Sequence, residues 1–99
     1  MFKLTEIPAR YRADIETAVD FLKKEGGESV YLFGSLAAGK IKDASDIDLG
    51  VKGLPPEKFF SVCGKLYLTL SNEIDVIDFD KEKDFYALLE SLKEVVKIG

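Results

Sequence analysis

The chain has 99 residues, 46% of them hydrophobic and 32% charged, which supplies apolar mass for one small core and not for a second domain. Its 14 Lys and Arg against 18 Asp and Glu leave a net charge of −4. It therefore lacks the broad cationic surface that grips phosphate backbones, which argues against extended nucleic-acid binding. Histidine is absent, which removes the commonest general base and zinc ligand and the Ser-His-Asp and Cys-His nucleophile systems.

The first element expected is an amphipathic helix over residues 8–25. Pro8 suits its first turn, Tyr11, Ile15, Ala18, Val19 and Leu22 recur at helical spacing, and Gly26-Gly27 stops the pattern. Ser29 to Phe33 is a short run of β-formers ended by Gly34 and reads as a buried strand. From Asp46 to Val51, acids alternate with apolar residues, placing Ile47, Leu49 and Val51 on one face of a strand and Asp46 and Asp48 on the other.

After Pro55-Pro56, a helix over roughly residues 57–70 carries Phe59, Cys63, Leu66, Tyr67 and Leu70 on one stripe. Residues 73–79 form a third strand. Asp80 then caps a last helix bearing Phe85, Leu88, Leu89, Leu92 and Val96. The expected fold is α/β of the α+β kind, a three-stranded mixed sheet packed with helices. The first two strands run antiparallel, and the last two run parallel through a helical crossover. The single Cys63 can form no internal disulfide, and no secretory leader or membrane-spanning run is evident. Membrane contact is not expected, and the cytoplasm is the expected compartment.

Chemistry concentrates in two places. Asp46 and Asp48, at i and i+2 of a strand, point the same way and offer hard oxygen ligands to divalent cations. A third carboxylate from the next strand completes such a site. Strict alternation puts Asp75 with Ile77 and Phe79, and Asp78 with Ile74 and Val76, so only one of the two shares the face. The second place is Gly34-Ser35-Leu36-Ala37-Ala38-Gly39-Lys40, where a small-residue turn lets backbone N–H groups and a hydroxyl approach phosphate oxygens. This segment also fits Gly-x-x-x-x-Gly-Lys, but Ile41 stands where a P-loop needs Ser or Thr. A calcium loop counted from Asp75 fails as well, because Asp80 and Tyr86 occupy the positions of the required Gly and Glu.

Tyr31-Leu32-Phe33-Gly34-Ser35, after ten intervening residues Asp46-Ile47-Asp48-Leu49, and then Ile74-Asp75-Val76-Ile77 resemble the minimal nucleotidyltransferases of the DNA polymerase β superfamily over nearly the whole chain. The resemblance implies the nucleotidyltransferase fold. It also implies transfer of a nucleoside monophosphate, AMP from ATP or its counterpart from another NTP, to a hydroxyl with the help of two Mg²⁺ ions. By the same likeness Asp46, Asp48 and Asp75 are the catalytic metal ligands, with Asp75 favoured over Asp78, and Gly34, Ser35, Lys40 and Ser45 bind the nucleotide. Similar proteins pair with a HEPN-type toxin and serve as its antitoxin, which makes a partner protein the expected acceptor and a homo-oligomer a further expectation.

One departure stands out. Leu36 and Ala38 occupy positions where the family often carries arginines. That suggests a second reading, a catalytically degenerate module that sequesters a partner; transfer to a small molecule such as an aminoglycoside is a third.

Overall fold

A computed structural model describes residues 7–39 and 46–99. Eight elements follow one another: α1 (Ala9–Lys24), β1 (Ser29–Phe33), α2 (Gly34–Ala37), β2 (Ile47–Lys52), α3 (Pro56–Thr69), β3 (Ile74–Asp78), α4 (Lys83–Ser91) and β4 (Val95–Lys97). The strands form one sheet in the order β3-β2-β1-β4. As expected from the chain order, β1 and β2 are antiparallel and β2 and β3 parallel.

The fourth strand corrects the three-stranded expectation. α4 ends at Ser91, Lys93 takes a left-handed conformation at φ 58°, and the Glu94 N–H returns to the Leu89 carbonyl at 2.9 Å. This closure reverses the chain. The β-branched pair Val95-Val96 then joins β1 as an antiparallel edge strand. Val96 therefore belongs to the sheet, although its spacing from Leu92 mimics another helical turn.

Each sheet face has its own apolar cluster. On one side Ile15, Ala18 and Leu22 of α1 and Val62, Cys63 and Leu66 of α3 close over Val30, Leu32, Leu49, Val51 and Val76. On the other, Tyr31, Phe33, Phe79 and Leu89 form a smaller, aromatic core. Gly50 makes the second core possible, because a Cβ there would run into the Phe79 ring lying across β2. β1 is apolar on both faces for this reason, which explains its unbroken run of buried residues from Val30 to Phe33.

Three further expectations change. Asp80 does not cap α4, whose N-cap is Glu82; its carboxylate accepts the Gly53 N–H at 2.6 Å instead. On α4 only Leu89 is buried, whereas Phe85, Leu88 and Leu92 keep much of their surface. On α3, Tyr67 sits at core spacing but at the sheet margin, and it is 51% exposed. Helical periodicity marks the side of a helix that faces the sheet, and a narrow sheet covers only part of that side.

One buried charge holds the frame. Asp14 of α1 accepts hydrogen bonds from the backbone N–H and side-chain amide of Asn72 at 2.7 and 2.8 Å, fastening the turn before β3 onto α1. That turn sets where β3 starts, and hence where Asp75 stands.

Candidate active site

Strand register brings two of the sequence-predicted acids together. In the parallel pairing Asp48 is directly opposite Asp75, and in the antiparallel pairing it is opposite Phe33, the residue before Gly34. Paired residues project to the same face of a sheet. Asp48 is thus flanked by the third acid on one side and the glycine turn on the other. Asp46 immediately precedes β2 and is exposed, and its charge reaches Asp48.

The electrostatics follow from this crowding. Partial burial, then the negative charge of Asp75, then that of Asp46 push the Asp48 carboxyl up from 3.8 to about 6. Two like charges beside a half-buried carboxylate disfavour its ionised form. Such a group is stabilised by a divalent cation, and hard carboxylate oxygens are the donors that Mg²⁺ takes. The donor set therefore suits the ion. Among the described residues no three His, Cys, Asp or Glu side chains already stand as a closed metal cage. Asp48 and Asp75 share a face, and the charges of Asp75 and Asp46 both act on Asp48.

Asp78 belongs elsewhere. It pairs with Val51, its charge falls on Cys63 of α3, and its Oδ1 accepts the N–H groups of Asp80 at 3.0 Å and Lys81 at 3.3 Å. It is the residue that turns the chain out of β3. The alternation left open by the sequence is resolved by register, and Asp75 is the acid facing Asp48. Cys63 is buried, and burial followed by the Asp78 charge raises its thiol to about 11, so it is no nucleophile.

The Gly34-Ser35 turn is built against Asp48. Gly34 has φ 75°, and a Cβ on it would strike the Asp48 carboxylate. Glycine meets both the backbone conformation and the close approach. Ser35 follows in α2, half-buried. Leu36 is almost wholly buried in the main core, while Ala38 is exposed. The first of the two absent arginines is thus replaced by a core side chain. Lys40 and Ser45, expected at the nucleotide, lie outside the described residues, as does Lys42.

A cleft of about 490 Å³, lined by Tyr67, Leu70, Ser71, Asn72, Glu73 and Ile74, opens at the entry to β3, next along the chain from Asp75. Neither it nor the exposed ring of Phe85 on the acid-bearing side was foreseen. The alternating apolar residues Tyr31 and Phe33 were the available signal, since they required cover on that second face.

In this mixed sheet an inner strand carries Asp48 between Asp75 on one neighbouring strand and the Gly34-Ser35 turn that follows the other, the arrangement expected from the sequence resemblance. The chain belongs to the polymerase β nucleotidyltransferase family, whose model, described as "Polymerase beta, Nucleotidyltransferase", matches residues 16–97. Among solved structures, a chain from a crystal structure of a toxin-antitoxin with AMP-PNP has a similar fold. The TM-score is 0.62 over 86% of this chain and 69% of that one, with 21% sequence identity. No curated protein matches by sequence. No helix among the described residues is long and apolar enough to cross a membrane.

Proposed function

We propose that this protein is a Mg²⁺-dependent nucleotidyltransferase of the minimal type. It would transfer a nucleoside monophosphate, AMP from ATP as the leading case, to a hydroxyl of a partner protein. The observation that carries the reading is the register that sets Asp48 between Asp75 and the Gly34 turn.

Asp46 and Asp48 would hold the cations and Asp75 would share the one nearest the acceptor. When bound, Mg²⁺ neutralises the negative charge that develops on the transferring phosphoryl group. The backbone at Gly34 and the Ser35 hydroxyl orient the triphosphate. The acceptor oxygen enters from the Asp75 side, and Asp75 takes its proton. The acceptor oxygen attacks the α-phosphorus in line with the departing pyrophosphate. Positioning and charge neutralisation supply most of such a reaction, so the lack of histidine is no obstacle.

The AMP-PNP and toxin-antitoxin setting of the structural neighbour supports an adenine nucleotide and a toxin partner, with this chain as the antitoxin. A HEPN-type toxin is the partner named by the family resemblance. We place the protein in the cytoplasm as one domain, with self-association open to measurement.

The burial of Leu36 favours a second reading, a module that binds its partner without catalysis, because it strips a phosphate-binding charge from the turn. One experiment separates the two. Labelled ATP, Mg²⁺ and the protein encoded by the adjacent gene are incubated with the wild type and with the Asp46→Asn/Asp48→Asn variant. Labelled partner with the wild type alone supports transfer, whereas equal labelling with both rejects it. A stable complex without label supports the module. Label on an added aminoglycoside in the absence of partner points to a small-molecule acceptor.

A further inference from the structure

The acid-bearing face of the sheet runs on into an aromatic surface that the second core leaves uncovered. Phe33 lies opposite Asp48 and leads straight into Gly34. Phe85 of α4 meets Phe33 edge-on, with centroids 5.6 Å apart and planes at 83°, and it also touches Phe79. Phe85 shares the sheet-facing side of α4 with Leu89, one turn later. Yet Leu89 is 6% exposed and Phe85 38%. Phe85 is therefore held by other rings while more than a third of the residue stays exposed. Ile77, two residues beyond Asp75 on the same face, is half-buried and extends the apolar ledge.

We infer that Phe85 is the stacking platform for the base of the bound nucleoside triphosphate, which rests on the nucleotidyltransferase reading above. The occupant follows from continuity with the acid site. Phosphates at Gly34 and cations at Asp46 and Asp48 leave the nucleoside to project along the same face, and Phe33 joins the phosphate turn to the ring. A flat ring held in place by its neighbours loses little freedom when a base stacks on it. Stacking reads the size of a base more than its hydrogen-bonding edge, so purine triphosphates bind more tightly than pyrimidine ones, and adenine and guanine are poorly distinguished.

The test compares ATP, CTP and inorganic tripolyphosphate, each with Mg²⁺, by isothermal titration against wild type, Phe85→Ala and Phe85→Trp. Base stacking of about 1–3 kcal/mol corresponds to ATP binding weakened roughly five- to 150-fold in Phe85→Ala. Tripolyphosphate binding should stay unchanged, and Phe85→Trp should retain or tighten ATP. Phe85→Leu keeps an apolar contact to Phe33 without the flat face and takes the place of Phe85→Ala should that variant not fold. The proposal is overturned if the alanine variant binds ATP as the wild type does, or if ATP and tripolyphosphate weaken alike. Wild type binding tripolyphosphate as tightly as ATP would sink the platform alone. Wild type binding neither would sink the nucleotidyltransferase reading with it.

Discussion

Asp48 and Asp75 stand directly opposite each other in the parallel pairing of β2 and β3, two carboxylates on adjacent strands of one face. A fold does not juxtapose like charges for its own stability. Partial burial, with that repulsion added to it, holds the Asp48 carboxyl at about 6.

Asp48→Asn should therefore stabilise the protein while abolishing transfer. Between 3.8 and about 6 the folded chain retains a proton that the unfolded chain releases. Stability falls as pH rises through that window, and the cost of ionising Asp48 is complete above it. The group is only half-buried, so solvent screening reduces that cost to about 1 kcal/mol. For a chain of this size that is a rise in Tm of about 4–8 °C near neutral pH. Thermal denaturation of both proteins should show the gap closing as the pH approaches 4. A variant less stable than the wild type at neutral pH would contradict this account.

Cation binding should have the opposite pH dependence. In the proposed function ionised Asp48 is the ligand, and protons compete for it below about 6. Added Mg²⁺ should raise Tm at about pH 7.5 and lose most of that effect near about pH 5, with transferase activity declining over the same range. Removing divalent cations with EDTA should abolish labelling at every pH. A stabilisation by Mg²⁺ that is equal at both values would place the ion elsewhere.

Two glycines should respond in opposite ways to alanine. At Gly50 the added methyl group meets the Phe79 ring, and Gly50→Ala should cost about 1–3 kcal/mol through overpacking of the aromatic core. Gly64 lies inside α3 with nothing near its Cβ direction, so Gly64→Ala should add about 0.5–1 kcal/mol through helix propensity. Urea denaturation of the pair checks both signs at once.

The two positions of the missing arginines should also differ. Leu36 is 1% exposed, so Leu36→Arg buries a charge without a partner and should destabilise by about 3 kcal/mol or more. Ala38 is exposed, and Ala38→Arg should leave Tm unchanged while tightening nucleotide binding by several-fold. Titration with ATP and Mg²⁺ alongside a thermal melt distinguishes the two.

Local pattern was enough for most elements. Apolar spacing and the Pro and Gly positions marked α1, β1, β2, α3 and β3 to within a residue or two, because those signals act over neighbours in the chain. The residue types of the site were legible in the same way, since an acid-apolar-acid strand and a Gly-Ser turn are local. Their convergence was not. Register across three strands decides that Asp75 meets Asp48 and that Asp78 turns away, and strand pairing depends on contacts remote in sequence. The same holds for β4, where a left-handed Lys93 and an open sheet edge overrode a helical spacing, and for Phe85, whose periodicity assigned it to the core. The amino-acid order thus specified which groups this chain could offer to a phosphate and a cation. Only the packed sheet determined which of them face one another, because side-chain direction alternates with every residue and a one-residue slip would send each acid to the opposite face.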